Sequence, residues 1–188
     1  DAAIVYGAHN LPERVAAWTR HGYIAHFMTG AAWGQYEPYI DGRFDGARHA
    51  DEGQADAKGE TIWHHPGVPY MVPPPSYVAY LKSLAHAAID AGAEAIHFEE
   101  PEFWARAGYS NGFQKCWKTE YGEDWQRPDS SPDAFWRSAK LKYRLYQRDS
   151  VPQNNPSNAK YRLMIEAWKR LPLPVANWLG PHIVRHLG

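Results

Sequence analysis

Three carboxylates fall within four residues at Glu99-Glu100-Pro101-Glu102. Like charges held this close raise the pKa of at least one member, and apolar neighbours raise it further. Phe98, Phe103 and Trp104 are such neighbours. A carboxyl group that keeps its proton near neutral pH can serve as a general acid. The same cluster could instead be a solvated acidic turn, or a partner for Arg106. Its place in the chain gives weight to the chemical reading, because it follows directly on the apolar run Ala93 to Phe98.

Histidines form a second group of candidates. His9, His26, His49, His64, His65 and His97 lie in the first hundred residues. His97 and Glu99 alternate with Phe98, so in an extended strand they share one side. His64-His65 near Glu60 could contribute to a metal site, but no spacing matches a zinc signature. Polar pocket residues or satisfied core histidines fit the pattern better, and no metal is assigned. The chain has no phosphate-binding glycine motif, no Gly-x-Ser-x-Gly elbow and no cysteine pair. Nothing calls for a cofactor. The lone Cys116 reads as a buried structural thiol.

These residues need elements to position them. Ala2 to Tyr6 reads as a buried strand ending at Gly7. A helix follows from Leu11 with Asn10 as its cap and Gly22 as its stop; Leu11, Val15 and Trp18 supply the helical spacing. Tyr23 to Met28 reads as a second strand. Ala31 to Pro75 is a long irregular stretch whose aromatics (Trp33, Tyr36, Tyr39, Phe44, Trp63, Tyr70) argue against disorder. A helix capped by Ser76 and stopped by Gly92 leads to the third strand, Ala93 to Phe98. Phe103 to Arg127 reads as a loop with short helical pieces. Ser131 or Asp133 then caps a helix reaching about Arg148.

Strands alternating with helices at this spacing predict a parallel α/β sheet with crossover helices. In such sheets ligands bind at the carboxyl ends of the strands. That rule selects Gly7-Ala8-His9-Asn10, Met28-Thr29-Gly30 and Glu99 to Glu102, all opening onto one rim covered by the long loop.

The stretch Ala95-Ile96-His97-Phe98-Glu99-Glu100-Pro101-Glu102-Phe103-Trp104 resembles the fourth strand of barrel-type glycoside hydrolases of the large retaining clan. That strand commonly ends in Asn-Glu-Pro, with the Glu as acid/base. Val5-Tyr6-Gly7-Ala8-His9-Asn10, Gly42-Arg43-Phe44-Asp45-Gly46 and Lys140-Leu141-Lys142-Tyr143 more loosely resemble uncharacterised barrel proteins grouped with such enzymes. The resemblance implies a partial (β/α) TIM-like barrel with the aromatic loop on its C-terminal rim. It implies Glu100 as general acid, with Glu99 or Glu102 shaping its environment; Glu99 stands where the family has Asn. Substrate-binding candidates are His9, Asn10, Trp33, Trp63, His97 and Trp104. The clan's second carboxylate belongs to a seventh strand that this chain does not reach. Asp41, Asp45, Asp51, Glu52, Glu60 and Glu102 remain open as substitutes.

Composition sets the outer limits. The 188 residues suit one good-sized domain. A formal net charge of −1 gives no bulk argument for nucleic acid or membrane partners. Nine Trp and twelve Tyr exceed what a core of this size usually needs; their flat faces suit sugars and nucleobases alike, and a Trp-rich core or interface is the plainer reading. No apolar run is long enough for a membrane helix, and Asp1 to Tyr6 does not read as a signal peptide. The compartment stays open between cytoplasmic and secreted. After Ser150 the texture changes to a Pro- and Asn-rich break and a basic tail. The reading is therefore a barrel domain over 1–150 and a tail over 151–188 that packs on the barrel or on a partner chain. An open half barrel leaves an exposed edge and face, which predicts a homodimer. The expected partner besides a second copy is a carbohydrate, and the alternative function is a non-catalytic carbohydrate-binding or structural fragment.

Overall fold

The computed structural model describes residues 1–34 and 36–147. Its elements run β1 (Ala2–Tyr6), α1 (Leu11–Arg20), β2 (Ile24–Gly30), α2 (Glu37–Ile40), a 3-10 turn (Ala50–Glu52), β3 (Trp63–His65), β4 (Val68–Pro69), α3 (Pro75–Asp90), β5 (Ala95–Glu99), α4 (Asn111–Tyr121) and α5 (Pro132–Gln147). The fold is α/β. β1, β2 and β5 form a parallel sheet in that order, and β3 and β4 form a small antiparallel hairpin.

Alternation along the strands decides what each face does. Val5, Ala25 and Phe27 point to the face covered by α1 and α3, where Leu11, Val15 and Ala88 complete a buried cluster. Burying such side chains contributes roughly 1.5–3 kcal/mol each. Ile4, Tyr6 and Ile24 occupy the opposite face and remain 54%, 38% and 44% exposed. His26 and His97 lie on that same face, with Nδ1 and Nε2 3.2 Å apart. A parallel sheet is ordinarily covered on both sides. Among the described residues the second face has no cover, and no closed barrel forms. The tail expected beyond Ser150 lies outside the described residues.

Register brings the strand ends level. Tyr6 pairs with Met28, and Gly30 pairs with Glu99. The Ala31 N–H continues the ladder by donating to the Glu99 carbonyl at 2.7 Å. All three strands therefore end on one rim, as parallel topology requires.

Several local expectations need correction. Asn10 precedes α1, but it sits in the left-handed region (φ 45°) and its side chain caps nothing. Arg14 fixes that turn instead, donating to the carbonyls of Tyr6, Gly7 and His9 at 2.9–3.2 Å. α3 begins one residue before Ser76, whose hydroxyl faces the Tyr39 hydroxyl at 2.7 Å. α4 is a continuous helix rather than short pieces. The Ser110 hydroxyl accepts from the Phe113 N–H at its start, and Gly122, at φ 70°, ends it. Ser131 caps α5 by accepting from the Ala134 N–H.

The long stretch after β2 is ordered by its own aromatic core. Tyr36, Tyr39, Met71, Tyr77 and Tyr80 pack together and are all nearly inaccessible. Bridges at Gly53–Met71 and Ala55–Thr61 tie the stretch to itself. The helix α4 closes on it so tightly that a Cβ at Gly112 would stand 2.7 Å from the Glu52 carbonyl oxygen.

Candidate active site at the sheet rim

Glu100 follows the last residue of β5 and turns the chain sharply, with φ 47°. A non-glycine residue in the left-handed region is strained by about 1–3 kcal/mol and persists only where its surroundings hold it. Two contacts do so here. The Glu102 N–H donates to the Glu100 carbonyl at 2.8 Å, and the Trp33 indole Nε1 donates to Glu100 Oε2 at 2.6 Å.

Trp33 is itself placed by glycine. A Cβ on Gly30 would stand 1.8 Å from the Trp33 carbonyl oxygen, so only glycine lets the chain double back over the end of β2. The indole then stacks on the His64 ring, with centroids 4.0 Å apart and planes within 7°. His64 Nδ1 lies 3.1 Å from the Tyr70 hydroxyl, and Tyr70 meets the Trp104 ring edge-on at 5.6 Å. One continuous aromatic file thus runs from Glu100 to Trp104.

The other two carboxylates each act on a tyrosine. Burial, reinforced by a hydrogen bond to Glu99 and the charges of Glu99 and Glu100, pushes the Tyr6 phenol up to about 12. Burial and the Glu102 carboxylate likewise raise Tyr70. Both phenols stay protonated at neutral pH and remain donors at the rim. Gln54 braces the turn from below. Its Nε2 donates to the Glu102 carbonyl at 2.7 Å and its Oε1 accepts from the Trp104 N–H at 3.0 Å.

The expected site residues divide accordingly. Glu99, Glu100, Glu102, Trp33 and Trp104 share this rim assembly. Trp63 is half exposed on β3, the strand that carries His64. His9 and Asn10 occupy the exposed turn after β1, on the same rim. His97 stands two residues before the rim and pairs with His26. The contributions of Tyr6, Tyr70, Gln54 and Arg14 carried no sequence signal; Gly30 at a strand end was the one available hint.

The loop carboxylates are engaged elsewhere. Glu52 is fully buried. It accepts from the Tyr39 hydroxyl and from Lys115 Nζ, and its Oε1 lies 3.1 Å from His49 Nδ1. His49 Nε2 reaches Asp45 at 3.0 Å, and its ring stacks on Tyr39 at 4.0 Å. The Glu52 hydrogen bond raises the Lys115 ammonium, and the Ala47 N–H is the largest influence lowering the Asp45 carboxyl. Asp41 pairs with Arg43, and Asp51 accepts from Asn111. Glu60 is exposed. Among the described residues no three His, Cys, Asp or Glu side chains converge as a metal site. Cys116 is buried within the aromatic core around Trp117, and burial raises its thiol to about 12.

No family model, no curated protein and no solved structure is similar to this chain. The rim must therefore be read from its own chemistry. It offers an exposed carboxyl group on a strained strand end, two tyrosine hydroxyls and several indole faces. That set can donate a proton, orient hydroxyl groups and cover apolar ring faces. Among the described residues no helix is long and apolar enough to cross a membrane.

Proposed function

We propose that this rim binds a carbohydrate and that the protein is a glycoside hydrolase with Glu100 as its general acid. The observation that carries the reading is the Trp33–Glu100 hydrogen bond at the carboxyl end of β5. It ties one carboxylate oxygen to a sugar-stacking side chain and leaves the other available. Glu99 and Glu102 flank it and set its field. Trp63 and Trp104, each exposed by about half (52% and 43%), supply platforms for sugar faces. His9 and Asn10 provide polar contacts from the neighbouring strand end. No cofactor takes part.

The three strands, on this reading, are consecutive staves of a (β/α) barrel. The uncovered face with Ile4, Tyr6, Ile24, His26 and His97 would then be the barrel's inward face, closed by further chain or by a second copy.

A second reading is favoured by one specific feature. Ordinary glycoside hydrolysis needs two carboxylates, and the loop candidates Asp41, Asp45, Asp51 and Glu52 are engaged away from Glu100. Only Glu99, Glu102 and Glu60 remain. A rim that binds sugar without turnover would need none of them. A screen of chromogenic glycosides separates the two: cleavage that depends on Glu100 supports the hydrolase. Saturable sugar binding without cleavage supports the binding module.

A further inference from the structure

A second concave site adjoins this rim, between the Pro101–Tyr109 segment and α5. Its volume is about 540 Å³, within the usual range of small-molecule sites. Phe103, Arg106, Tyr109, Ser138, Lys142 and Tyr143 line it. Three rings therefore form much of the wall, and the polar groups are few and close together.

Two of those polar groups sit one helical turn apart on α5. The Ser138 hydroxyl is buried and has no hydrogen-bond partner among the described residues. An orphaned buried hydroxyl costs about 1–3 kcal/mol, so it marks a place where a partner is expected. Lys142 Nζ donates to the Ala105 carbonyl at 2.9 Å and has further donors to give. Both side chains abut Gly108: a Cβ there would stand 3.2 Å from Ser138 Oγ and 3.3 Å from Lys142 Nζ. The two groups thus converge on one spot of the wall.

Charge selects the sign of the ligand. Arg106 and Lys142 are the cations of the lining. Asp129 is its one carboxylate, and Arg127 holds both Asp129 oxygens at 3.0 Å. Burial alone lowers the Lys142 ammonium to about 8. A cation held in apolar surroundings without a carboxylate partner gains from an anionic guest.

We propose that this cleft is a binding site for a small aromatic carboxylate, with its ring among Phe103, Tyr109 and Tyr143 and its carboxylate on Lys142 and Ser138. The ligand groups named here, Ser138 and Lys142, play no part in the hydrolase reading, so the proposal stands or falls separately from it. Ser138 donates its hydroxyl proton to one carboxylate oxygen, and Lys142 supplies the charge-assisted bond.

Titration of the full chain with sodium benzoate tests it, by calorimetry or ligand-observed NMR. Benzoate is expected to saturate one site, while benzylamine, with the opposite charge, and acetate, without the ring, bind at least about tenfold more weakly. Lys142→Met keeps the aliphatic stem and is expected to weaken benzoate at least about tenfold, the scale of one charge-assisted hydrogen bond. Ser138→Ala removes an unpartnered hydroxyl, so the fold is retained and benzoate weakens several-fold. Circular dichroism and melting temperature monitor folding of both variants. Absence of saturable benzoate binding, equal binding of benzylamine, or benzoate binding unchanged in Ser138→Ala would each overturn the proposal.

Discussion

The Trp33 indole reaches across 67 positions of sequence to donate its proton to Glu100 Oε2 at 2.6 Å. The contact joins the loop after β2 to the end of β5. It depends on the bare backbone of Gly30, over which the Trp33 carbonyl folds. A carboxyl group fixed at one oxygen by a donor keeps its other oxygen, the one that would carry the transferable proton, in a defined direction, which is what proton transfer to a bound ligand needs.

Trp33→Phe tests that role directly. The substituted ring can still stack on His64, but the donor is gone. A hydrogen bond to a neutral carboxyl group is worth about 0.5–1.5 kcal/mol. Glycosidase kcat is therefore expected to fall by about 2- to 10-fold, with a smaller change in KM. Steady-state kinetics check this; an unchanged kcat with a raised KM would make Trp33 a wall of the cleft and nothing more.

The buried Glu52 holds the long loop together. Its carboxylate is the shared acceptor for Tyr39 and Lys115 and lies against His49. Glu52→Ala leaves the buried Tyr39 hydroxyl and His49 ring without this acceptor, while Lys115, 53% exposed, turns to water; the lost buried hydrogen bonds cost about 1–3 kcal/mol. Chemical denaturation is expected to show that loss. A loss under about 1 kcal/mol would mean that water replaces the carboxylate at little cost.

Lys142 offers a pH-dependent readout. Its ammonium titrates near 8 because it is buried, below the value of about 10.4 for a free lysine. The neutral amine is the nucleophile, so selective acylation of Lys142 is expected to rise with pH and to level off above about 9. Exposed lysines continue to gain reactivity to higher pH. Peptide mapping after brief acetylation across pH 6–10 measures this. A Lys142 profile superimposable on that of the exposed lysines would contradict it.

Much of the sheet was legible because apolar runs bounded by glycine left few choices. Ala2 to Tyr6 appears as β1 without change, while the third strand starts two residues later than expected, at Ala95, and gains Glu99 at its end. Glu99 closes β5, and Glu100 and Glu102 follow it in the turn beyond the strand. Local signals failed where tertiary contacts overrode them. Phe103 to Arg127 reads as a loop with short helical pieces, yet Asn111–Tyr121 is one helix whose first turn holds Gly112, where only glycine fits against Glu52. Asn10 reads as a cap, yet its side chain accepts from no helix N–H, and the turn is held by Arg14, which donates to the Tyr6, Gly7 and His9 carbonyls. Asp45 and Glu52 read as open catalytic candidates; His49, four residues from one and three from the other, binds both, and nothing local says that Lys115, 63 positions along the chain, also binds Glu52. Long-range pairing of polar groups has no periodicity to detect.

The uncovered sheet face bears on assembly. Ile4, Ile24 and Tyr6 form an exposed apolar strip on a parallel sheet, and such sheets are normally covered. The full chain is expected to associate as a homodimer through this face, with light scattering giving twice the chain mass. Ile4→Lys with Ile24→Lys is expected to shift the equilibrium to monomer. A wild-type chain that stays folded and monomeric at all concentrations would contradict the dimer.

Hydrolysis of chromogenic glycosides by the wild type and by Glu100→Gln tests the central claim most directly. Loss of a general acid typically costs about 10²–10⁴ in rate. The account predicts cleavage of at least one glycoside by the wild type, and a loss of at least about 100-fold in Glu100→Gln with folding retained. Full activity in Glu100→Gln, together with loss in Glu99→Gln or Glu102→Gln, would contradict the assignment of Glu100 as proton donor.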